Sequence, residues 1–325
     1  MLNLYQSNRL DALFPLYMAV RQPPNDPLTS EALLVPSLGM QRWIQIEMAK
    51  QQGIAANLDF KLPAAFMWQL ILQVFPDTPK LSAFDREVMA WRILHIIPSI
   101  QAIEGSALAA NWEKADEAGR YELAWRVADV FDQYLIYRPE WLASWEAGKT
   151  LNLGEDEAWQ KAIWLALAQK DEPHRAKLFQ ALLDALKSGK IKKIPEKISV
   201  FGISTLPPSM WHLLVALGEK TEIDLFLLNP SQEYWGQLRK GDSGESDHQL
   251  LASLGQQGRD FISTVASSGV SEPVGSQAFV DFHEKGSVLS ALQSDFLHQR
   301  VRSAEDKITT NAKDDSLQVH ICHSN

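Results

Sequence analysis

The stretch from Glu31 to Lys50 reads EALLVPSLGMQRWIQIEMAK, and it decides which fold the rest of the chain can adopt. Its first part is a short apolar run, ALLV, that ends at Pro36, which is typical of a buried strand. After a turn that contains Gly39, apolar side chains recur at helical spacing and could face a core. These side chains are Trp43, Ile44 and Met48. The stretch therefore predicts a strand, a tight turn and an amphipathic helix.

A strand, a glycine turn and a helix also form the frame in which P-loop proteins hold nucleotide phosphates. That chemistry needs backbone N–H groups around the β-phosphate, a lysine for the γ-phosphate and a Ser or Thr hydroxyl for Mg²⁺. The turn here, PSLGMQRW, has one glycine and no GK[ST], and it places Met40 and Trp43 where the phosphates would sit. Two interpretations stay open: a nucleotide-binding frame without nucleotide chemistry, and an ordinary strand–turn–helix of an α/β protein.

The second half of an ATP site is an acidic residue that follows another core strand and holds Mg²⁺. The candidate strand is Ile198 to Gly202, and the residues that follow it, ISTLP, include no carboxylate. Because both halves of the site are missing, the sequence argues against ATP hydrolysis by this segment.

Composition limits the remaining function classes. The 325 residues suffice for one large domain or two ordinary ones, and no run of 18 apolar residues predicts a membrane span. The single cysteine, Cys322, excludes an internal disulfide and favours a reducing cytoplasm, and the eight scattered histidines predict no zinc site. A net charge of −9 argues against a protein that grips duplex phosphates all over its surface. We expect most of the eleven tryptophans in the core and a few as stacking platforms for unpaired bases.

Strand and helix patterns alternate near both ends of the chain, whereas the middle shows helical patterns alone. This predicts a parallel α/β sheet with crossover helices, a discontinuous core of residues 1–105 and 191–325, and a helical insertion of residues 106–190. Ser7 and Ser82 are the predicted helix caps, and Gly241 to Gln257 is predicted to be a polar, mobile loop. A last strand with no element after it indicates a piece of a longer protein. The predicted strands are Leu2–Gln6, Ala32–Val35, Ile54–Leu62, Ile198–Gly202, Glu222–Asn229 and Leu317–Cys322.

One helix of the insertion carries polar residues that could contact nucleic acid. Asp129, Asp132 and Gln133 lie at i, i+3 and i+4, so they project from one side, and Arg138 ends the helix beside Pro139. Asp accepts from a base amino group, Gln donates and accepts, and Arg can fork onto guanine or phosphate. The face could read an unpaired strand, or it could be an ordinary polar face whose terminal arginine satisfies carbonyls.

Six segments of the chain together resemble the N-terminal part of the RecC family, the gamma chain of exodeoxyribonuclease V or RecBCD. They are SNRLDALFPL, PSLGMQRWIQ, GIAANLDFKLPAAFMW, DVFDQYLIYRPEWLASWEAG, FGISTLPP and VHICHS. The resemblance runs from Met1 to the last residues, and a full RecC chain is much longer.

The resemblance implies a superfamily 1 helicase-like core whose ATPase motifs have decayed, so that this chain would be no enzyme on its own and hold no cofactor. ATP and Mg²⁺ would act in the partner subunits RecB and RecD. The chain would be a cytoplasmic scaffold that guides unwound DNA, single-stranded and forked, and scans the 3′ strand for the Chi sequence during double-strand break repair. An active ATPase or nuclease domain, and a pure protein–protein scaffold, are the alternatives.

The resemblance also implies site residues. The positions that match those with which family members read Chi are Leu62, Trp68, Asp129, Asp132, Gln133, Arg138, Arg175 and Arg42. Of these, Arg42 departs from the family, and so do Pro36 and Leu38, since all three stand where polar Gln- or Thr-type side chains are usual; Val130 replaces a leucine. Because lost polar groups in the turn cannot bond a base, we expect a different octamer or weaker recognition.

Overall fold

The computed structural model describes residues 1–23, 26, 29–79, 82–169, 172–238, 248–282, 286–303, 305–308, 313–318 and 320. The chain divides into two compact units. The first comprises Met1–Phe66, Ile194–Leu206 and Leu214–Asn325, and the second comprises Met67–Lys193 and Pro207–Leu213. Residues 67–105, which the sequence assigned to the core, group with the helices of the second unit, so the compact units and the predicted domains differ at that boundary.

The sheet of the first unit has five strands in the order β1-β5-β4-β2-β3, and all neighbouring pairs are parallel. The predicted α/β class with a parallel sheet is therefore confirmed. The strands are β1 (Leu2–Ser7), β2 (Glu31–Leu34), β3 (Leu58–Lys61), β4 (Lys197–Ile203) and β5 (Glu222–Leu228). The α-helices are α1 (Leu10–Val20), α2 (Leu38–Gln52), α3 (Pro63–Val74), α4 (Arg86–Ile96), α5 (Ala107–Lys114), α6 (Glu117–Tyr137), α7 (Pro139–Glu146), α8 (Glu157–Ala168), α9 (Arg175–Lys187), α10 (Pro208–Gly218), α11 (Gln249–Leu254), α12 (Gln256–Ser267) and α13 (Val288–Leu297).

Aromatic side chains from the sheet and from α1 form the core of the first unit. Tyr5 stacks on Phe226 with ring centroids 4.9 Å apart, and Tyr17 of α1 meets Phe226 edge-on at 5.5 Å. Tyr17 also donates to the buried carboxylate of Glu31, which Arg21 pairs at 2.6 Å. Alternating apolar residues on β1 and β5 thus bury one face of the sheet, and the phenol of Tyr17 and the carboxylate of Glu31 that lie beside it are paired.

The core of the second unit is built by α4, α6 and α8. Phe131 and Trp164 are fully buried and lie 5.5 Å apart, and Trp145 is equally buried. Of the eleven tryptophans, four are buried, six are partly buried, and Trp91 is 56% exposed. Four of the partly buried rings, Trp43, Trp112, Trp125 and Trp159, also pack against the two hydrophobic cores, so the expectation that most tryptophans lie in the core is confirmed. Several rings of the second unit keep an open face.

Both predicted helix caps are wrong. Ser7 instead ends β1, where its hydroxyl donates to the carbonyl of Ala278 and accepts from the backbone N–H of Arg9. Arg9 takes the N-cap position, and α1 begins at Leu10 without a side-chain cap. The reason is that the chain returns beside β1 at residues 271–278, a pairing between distant segments that local sequence does not reveal. Before α4, Asp85 takes the N-cap position, and its carboxylate accepts from the backbone N–H of Ser82.

Two predictions near the C-terminal end have different outcomes. The polar loop predicted for Gly241–Gln257 is wrong from residue 249 onward, because α11 and the start of α12 occupy it and bury Leu251 and Ala252. Residues 241–247 lie outside the described residues. Half of the strand predicted for Leu317–Cys322 lies outside them as well, and the described residues 317, 318 and 320 are not in a strand.

Candidate functional site

The turn after β2 is an ordinary capped helix start. Ser37 is the N-cap of α2, and its hydroxyl accepts from the backbone N–H of Met40 at 3.2 Å. Gly39 lies inside the first helical turn. The side chain of Ser37 therefore satisfies one of the backbone N–H groups with which a helix N-terminus would otherwise bind a phosphate.

The same turn borders the topological switch point of the sheet. β2 and β4 are neighbours, and the strands that follow them in the chain, β3 and β5, lie on opposite sides. Open α/β sheets bind ligands in the crevice at the carboxyl ends of such strands. Here Gly202, with a φ of +70°, ends the regular part of β4, and a Cβ at this glycine would lie 2.9 Å from the Met40 methyl carbon and 3.5 Å from Leu10 Cδ2. Apolar side chains thus pack where a phosphate would enter.

The turn positions that the resemblance selected are exposed. Leu38 is 74% exposed, and Pro36 and Leu62 are exposed as well. Arg42 is also exposed and forms no ion pair with the described part of the chain. Within the described ranges, this end of α2 therefore presents Pro36, Leu38 and the unpaired guanidinium of Arg42 to solvent.

In the second unit, two of the selected residues contact each other. Arg175, the first residue of α9, donates from Nη2 to Asp132 Oδ1 of α6 at 3.1 Å, and it lies 3.7 Å from Asp85 Oδ1. Asp132 is mostly buried on its side-chain surface, with 18% exposed. The pair therefore holds one carboxylate of α6 in a fixed orientation while free lone pairs remain for a ligand.

Asp129 has a partner that the sequence did not indicate. Arg86 of α4 donates to Asp129 Oδ1 at 2.9 Å, and its guanidinium lies 4.9 Å from the centroid of the Trp125 ring. The i, i+4 spacing of Trp125 and Asp129 is a sequence signal that could have placed these two residues side by side on α6. Arg86 lies 43 positions away on another helix, and no local pattern marks it.

Aromatic rings continue this face along α6. Trp91 of α4 lies 4.8 Å from Tyr121, and Tyr121 lies 6.2 Å from Trp125, measured between ring centroids. Tyr121, Trp125, Asp129 and Gln133 follow one another at intervals of four residues, so they form one stripe on the helix. Trp91 is exposed, and Tyr121 and Trp125 are partly buried, so the row offers open ring surface of the kind on which unpaired bases stack.

The remaining selected residues differ in their surroundings. Gln133 is exposed, and its side-chain amide makes no hydrogen bond within the described ranges. Arg138 donates to the carbonyl of Tyr137 at 2.8 Å, which is the contact expected if α6 carries an ordinary polar face with a terminal arginine. Its guanidinium also lies over the Trp141 ring. Arg138 forms no ion pair with Asp129 or Asp132, and Trp68 is partly buried on α3. We define the α6 face as Tyr121, Trp125, Asp129, Asp132 and Gln133.

His174 fixes the start of α9 and thereby Arg175. Its Nδ1 accepts from the backbone N–H of Lys177 at 3.3 Å, so the neutral ring carries its proton on Nε2 and donates to Glu146 Oε1 at 2.8 Å. Burial lowers the pKa of His174 below its ordinary value, and the neighbouring Glu146 carboxylate offsets only part of that effect. Burial alone would raise the pKa of Glu146, but the hydrogen bonds that Lys177, Trp164 and His174 donate to it bring the pKa below its ordinary value.

We expect the second unit to lose stability on acidification through His174. A depressed pKa means that the contribution of the neutral ring is fully present above the unfolded value near 6.5 and is lost as the pH falls through the folded value. The loss should reach about 1 kcal/mol, the usual size of an N-cap, when Nδ1 becomes protonated. Urea unfolding of the chain between about pH 7.5 and 5.5 measures it. His174→Asn keeps a neutral cap and should flatten this slope; an unchanged slope would assign the effect to other groups.

The described ranges also limit other kinds of site. Within them, no group of three or more His, Cys, Asp or Glu side chains could hold a metal ion. None of the helices in the described part of the chain combines the length and the apolar character that a bilayer crossing requires.

Comparison with known proteins settles the family. The profile of the RecC N-terminal domain matches residues 2–299. The chain belongs to the RecC family. It is 34% identical to the RecBCD enzyme subunit RecC of Escherichia coli K12, over 100% of this chain and 34% of that protein. It is 32% identical to the Haemophilus influenzae RecC subunit and 30% identical to that of Mycolicibacterium smegmatis, over 99% of this chain and 35% and 30% of those proteins. The resemblance predicted from the sequence is confirmed, and the chain spans about a third of the length of these curated relatives.

Proposed function

We propose that this chain is the helicase-like, DNA-scanning part of a RecC subunit in a RecBCD-type helicase–nuclease, without ATP chemistry of its own. Its partners would be RecB and RecD subunits, which would supply ATP hydrolysis, and its ligand the unwound 3′ strand, in the cytoplasm. Family membership supports the assignment to such a complex. The apolar packing of Met40 on Gly202 and the Ser37 cap support the absence of a nucleotide site.

The α6 face is the observation that carries DNA scanning. It places stacking rings, two carboxylates that accept from base amino groups, and a free amide on one side of a helix. Asp129 and Gln133 are four residues apart, a rise of about 6 Å, which matches roughly two nucleotides at about 3.4 Å each. A single strand that runs along α6 could therefore meet stacking and hydrogen-bonding groups in turn.

Charge balance supports the same reading. A bare pair of carboxylates would repel a phosphate backbone, but Arg86 and Arg175 pair Asp129 and Asp132 at 2.9 and 3.1 Å. The local charge of these four residues is zero, so bases can approach while the outer carboxylate lone pairs remain available. The recognised sequence would differ from that of relatives with polar turn residues, because Pro36 and Leu38 cannot bond a base.

Gln133→Ala should weaken the response of the assembled complex to its own Chi sequence about tenfold or more. A glutamine that bonds a base edge is worth about 1–3 kcal/mol of discrimination. The measurement is Chi-dependent attenuation of nuclease activity in the complex with its partner subunits, on DNA with and without the recognised octamer. The octamer itself is first found by sequencing the protected 3′ ends.

The matched control is Gln180→Ala, an exposed glutamine on α9 of the same unit. It should leave the Chi response unchanged, and both variants should unwind Chi-free DNA at the parent rate. A normal Chi response in Gln133→Ala would show that the α6 face does not read the sequence.

For the rival function, an active ATPase, the expected result is an absence of binding. Titration of ATP with Mg²⁺ into this chain should give no binding heat at micromolar concentrations, because Met40 and Leu10 pack at the switch point and Ser37 satisfies the nearby N–H. The RecB subunit of the same complex is the positive control. Micromolar affinity in this chain would overturn our interpretation of the turn.

A further inference from the structure

A cavity of about 320 Å³ opens at the carboxyl ends of β1 and β5 in the first unit. Buried amides of Gln6 and Asn229 line its inner part, and Ile262 and Val265 of α12 form an apolar wall. Its lining includes two carboxylates and, among the described residues, no lysine, arginine or histidine. Cavities of this size and mixed lining take small molecules or single side chains.

Hydrogen bonds fix the orientation of both buried amides. The indole N–H of Trp235 can only donate, and it donates to Asn229 Oδ1 at 2.9 Å. The amide nitrogen of Asn229 therefore faces Gln6 and donates to Gln6 Oε1 at 2.9 Å. This leaves Gln6 Nε2 as a donor without an acceptor in the described part of the chain, and this atom is not fully buried, because Gln6 lines the cavity. A ligand that excludes solvent from this donor must supply an acceptor, such as a carbonyl.

The other polar groups of the cavity call for a cation. Glu233 and Glu272 are exposed and line the cavity, and Glu272 accepts one hydrogen bond from the described residues, from the amide of Gln277 at 3.3 Å. A nucleotide would bring its phosphate close to these carboxylates and be repelled. An arginine side chain instead offers a forked guanidinium to a carboxylate and an apolar stem to Ile262 and Val265.

The segment beside the cavity forms an ordered turn that exposes an apolar side chain. Residues 271 and 277 pair with β1, but the chain bulges between them in a turn at Pro273–Ser276, where Gly275 has a φ of +77°. Val274 stands fully exposed at the tip of this turn, two residues from Glu272. An apolar side chain held outward on an ordered turn next to a polar cavity is suited to contact with a protein.

We propose that this cavity binds an arginine side chain presented by a protein partner. The guanidinium pairs with Glu233 or Glu272, the stem packs on α12, and a main-chain carbonyl of the partner segment accepts from Gln6 Nε2. The proposal goes beyond DNA scanning and does not depend on it, because it uses residues of the first unit alone.

The test uses N-acetyl-L-arginine N-methylamide, which carries the side chain and two flanking amides. It is titrated into the whole chain labelled with ¹⁵N-tryptophan, and the indole resonance of Trp235, assigned with Trp235→Phe, reports on the Asn229–Gln6 network. We expect a saturable shift with a Kd in the millimolar range. The isosteric citrulline derivative has no charge and should bind at least about tenfold more weakly.

Paired variants test the carboxylates. Glu233→Gln/Glu272→Gln should weaken binding of the arginine derivative at least about tenfold, and both side chains are exposed, so the fold should be kept. Glu219→Gln/Glu305→Gln changes the net charge equally at exposed positions outside the cavity and should bind like the parent. Equal binding of citrulline, or unchanged binding by the cavity variant, would overturn the proposal. A Trp235 shift caused by deoxyguanosine monophosphate instead would make the cavity a nucleotide site.

Discussion

Lys197→Met should destabilise the first unit by about 3–5 kcal/mol, the cost of leaving a buried charge without its partner. Lys197 Nζ lies 2.7 Å from Asp224 Oδ2 and 2.8 Å from Glu222 Oε1. Asp224 is fully buried in β5, and its other oxygen accepts from the amide of Asn3 at 2.8 Å. Without the ammonium group, the Asp224 carboxylate keeps one neutral hydrogen bond in a dry sheet.

The direction of the pKa shift of Lys197 indicates that this site stabilises the charged form of its side chain. Burial alone would lower it, but hydrogen bonds to Asp224 and Glu222 and the charges of both carboxylates raise it above its ordinary value. A raised pKa means that this contribution is fully present below the unfolded value near 10.5 and is lost only as the pH rises through the folded value. The expected loss in Lys197→Met is therefore measurable at neutral pH, by urea unfolding.

A double variant separates the pair from the packing. Lys197→Met/Asp224→Asn removes both charges, keeps an oxygen acceptor for the buried amide of Asn3, and should recover most of the lost free energy. Glu222→Gln, at the partly exposed end of the cluster, should cost much less than Lys197→Met. A loss below about 1 kcal/mol in Lys197→Met would mean that Asp224 is hydrated or protonated in the variant.

Strands β2 and β4 could be predicted from sequence because each contains a short apolar run between turn residues. ALLV and ISVFG gave β2 and β4 within a few residues, and their order along the chain implied parallel pairing. What local sequence could not show was the segment beside β1. Its pairing joins residues about 270 positions apart and holds Ser7 at the end of β1, ahead of the N-cap position of the helix that it was expected to cap.

The candidate site was predictable only where its residues share one helix. The spacing of Asp129, Asp132 and Gln133 gave one side of α6 directly. The cations that balance the two carboxylates come from α4 and α9, each 43 positions away. Arg175 was found through the family resemblance and Arg86 was not found at all, because an ion pair between helices leaves no periodic signal.

Phe131→Ala should destabilise the second unit by about 3–5 kcal/mol, because it empties a packed site in the helical core. The ring of Phe131 is fully buried, and it lies 5.5 Å from Trp164 and 6.1 Å from Tyr134 between centroids. It is followed along α6 by Asp132 and Gln133, so the same turn of helix both anchors the core and presents the α6 face. Urea unfolding of the chain measures the loss.

Val130→Ala is the matched control, since it shortens the neighbouring side chain at a position that is 38% exposed. It should change the free energy of unfolding by no more than about 0.5 kcal/mol. A similar cost for both variants would mean that α6 packs differently from the arrangement described here.

Phe131→Ala and Gln133→Ala together distinguish a residue that stabilises α6 from a residue that contacts DNA. Below the temperature at which the second unit unfolds, Phe131→Ala should keep its Chi response, because no polar group of the α6 face is removed. Gln133→Ala should do the opposite, with a weakened Chi response and an unchanged free energy of unfolding, since its side chain is exposed. If Phe131→Ala lost the Chi response while the second unit was still fully folded, recognition would depend on the rigidity of α6 as well as on its exposed groups.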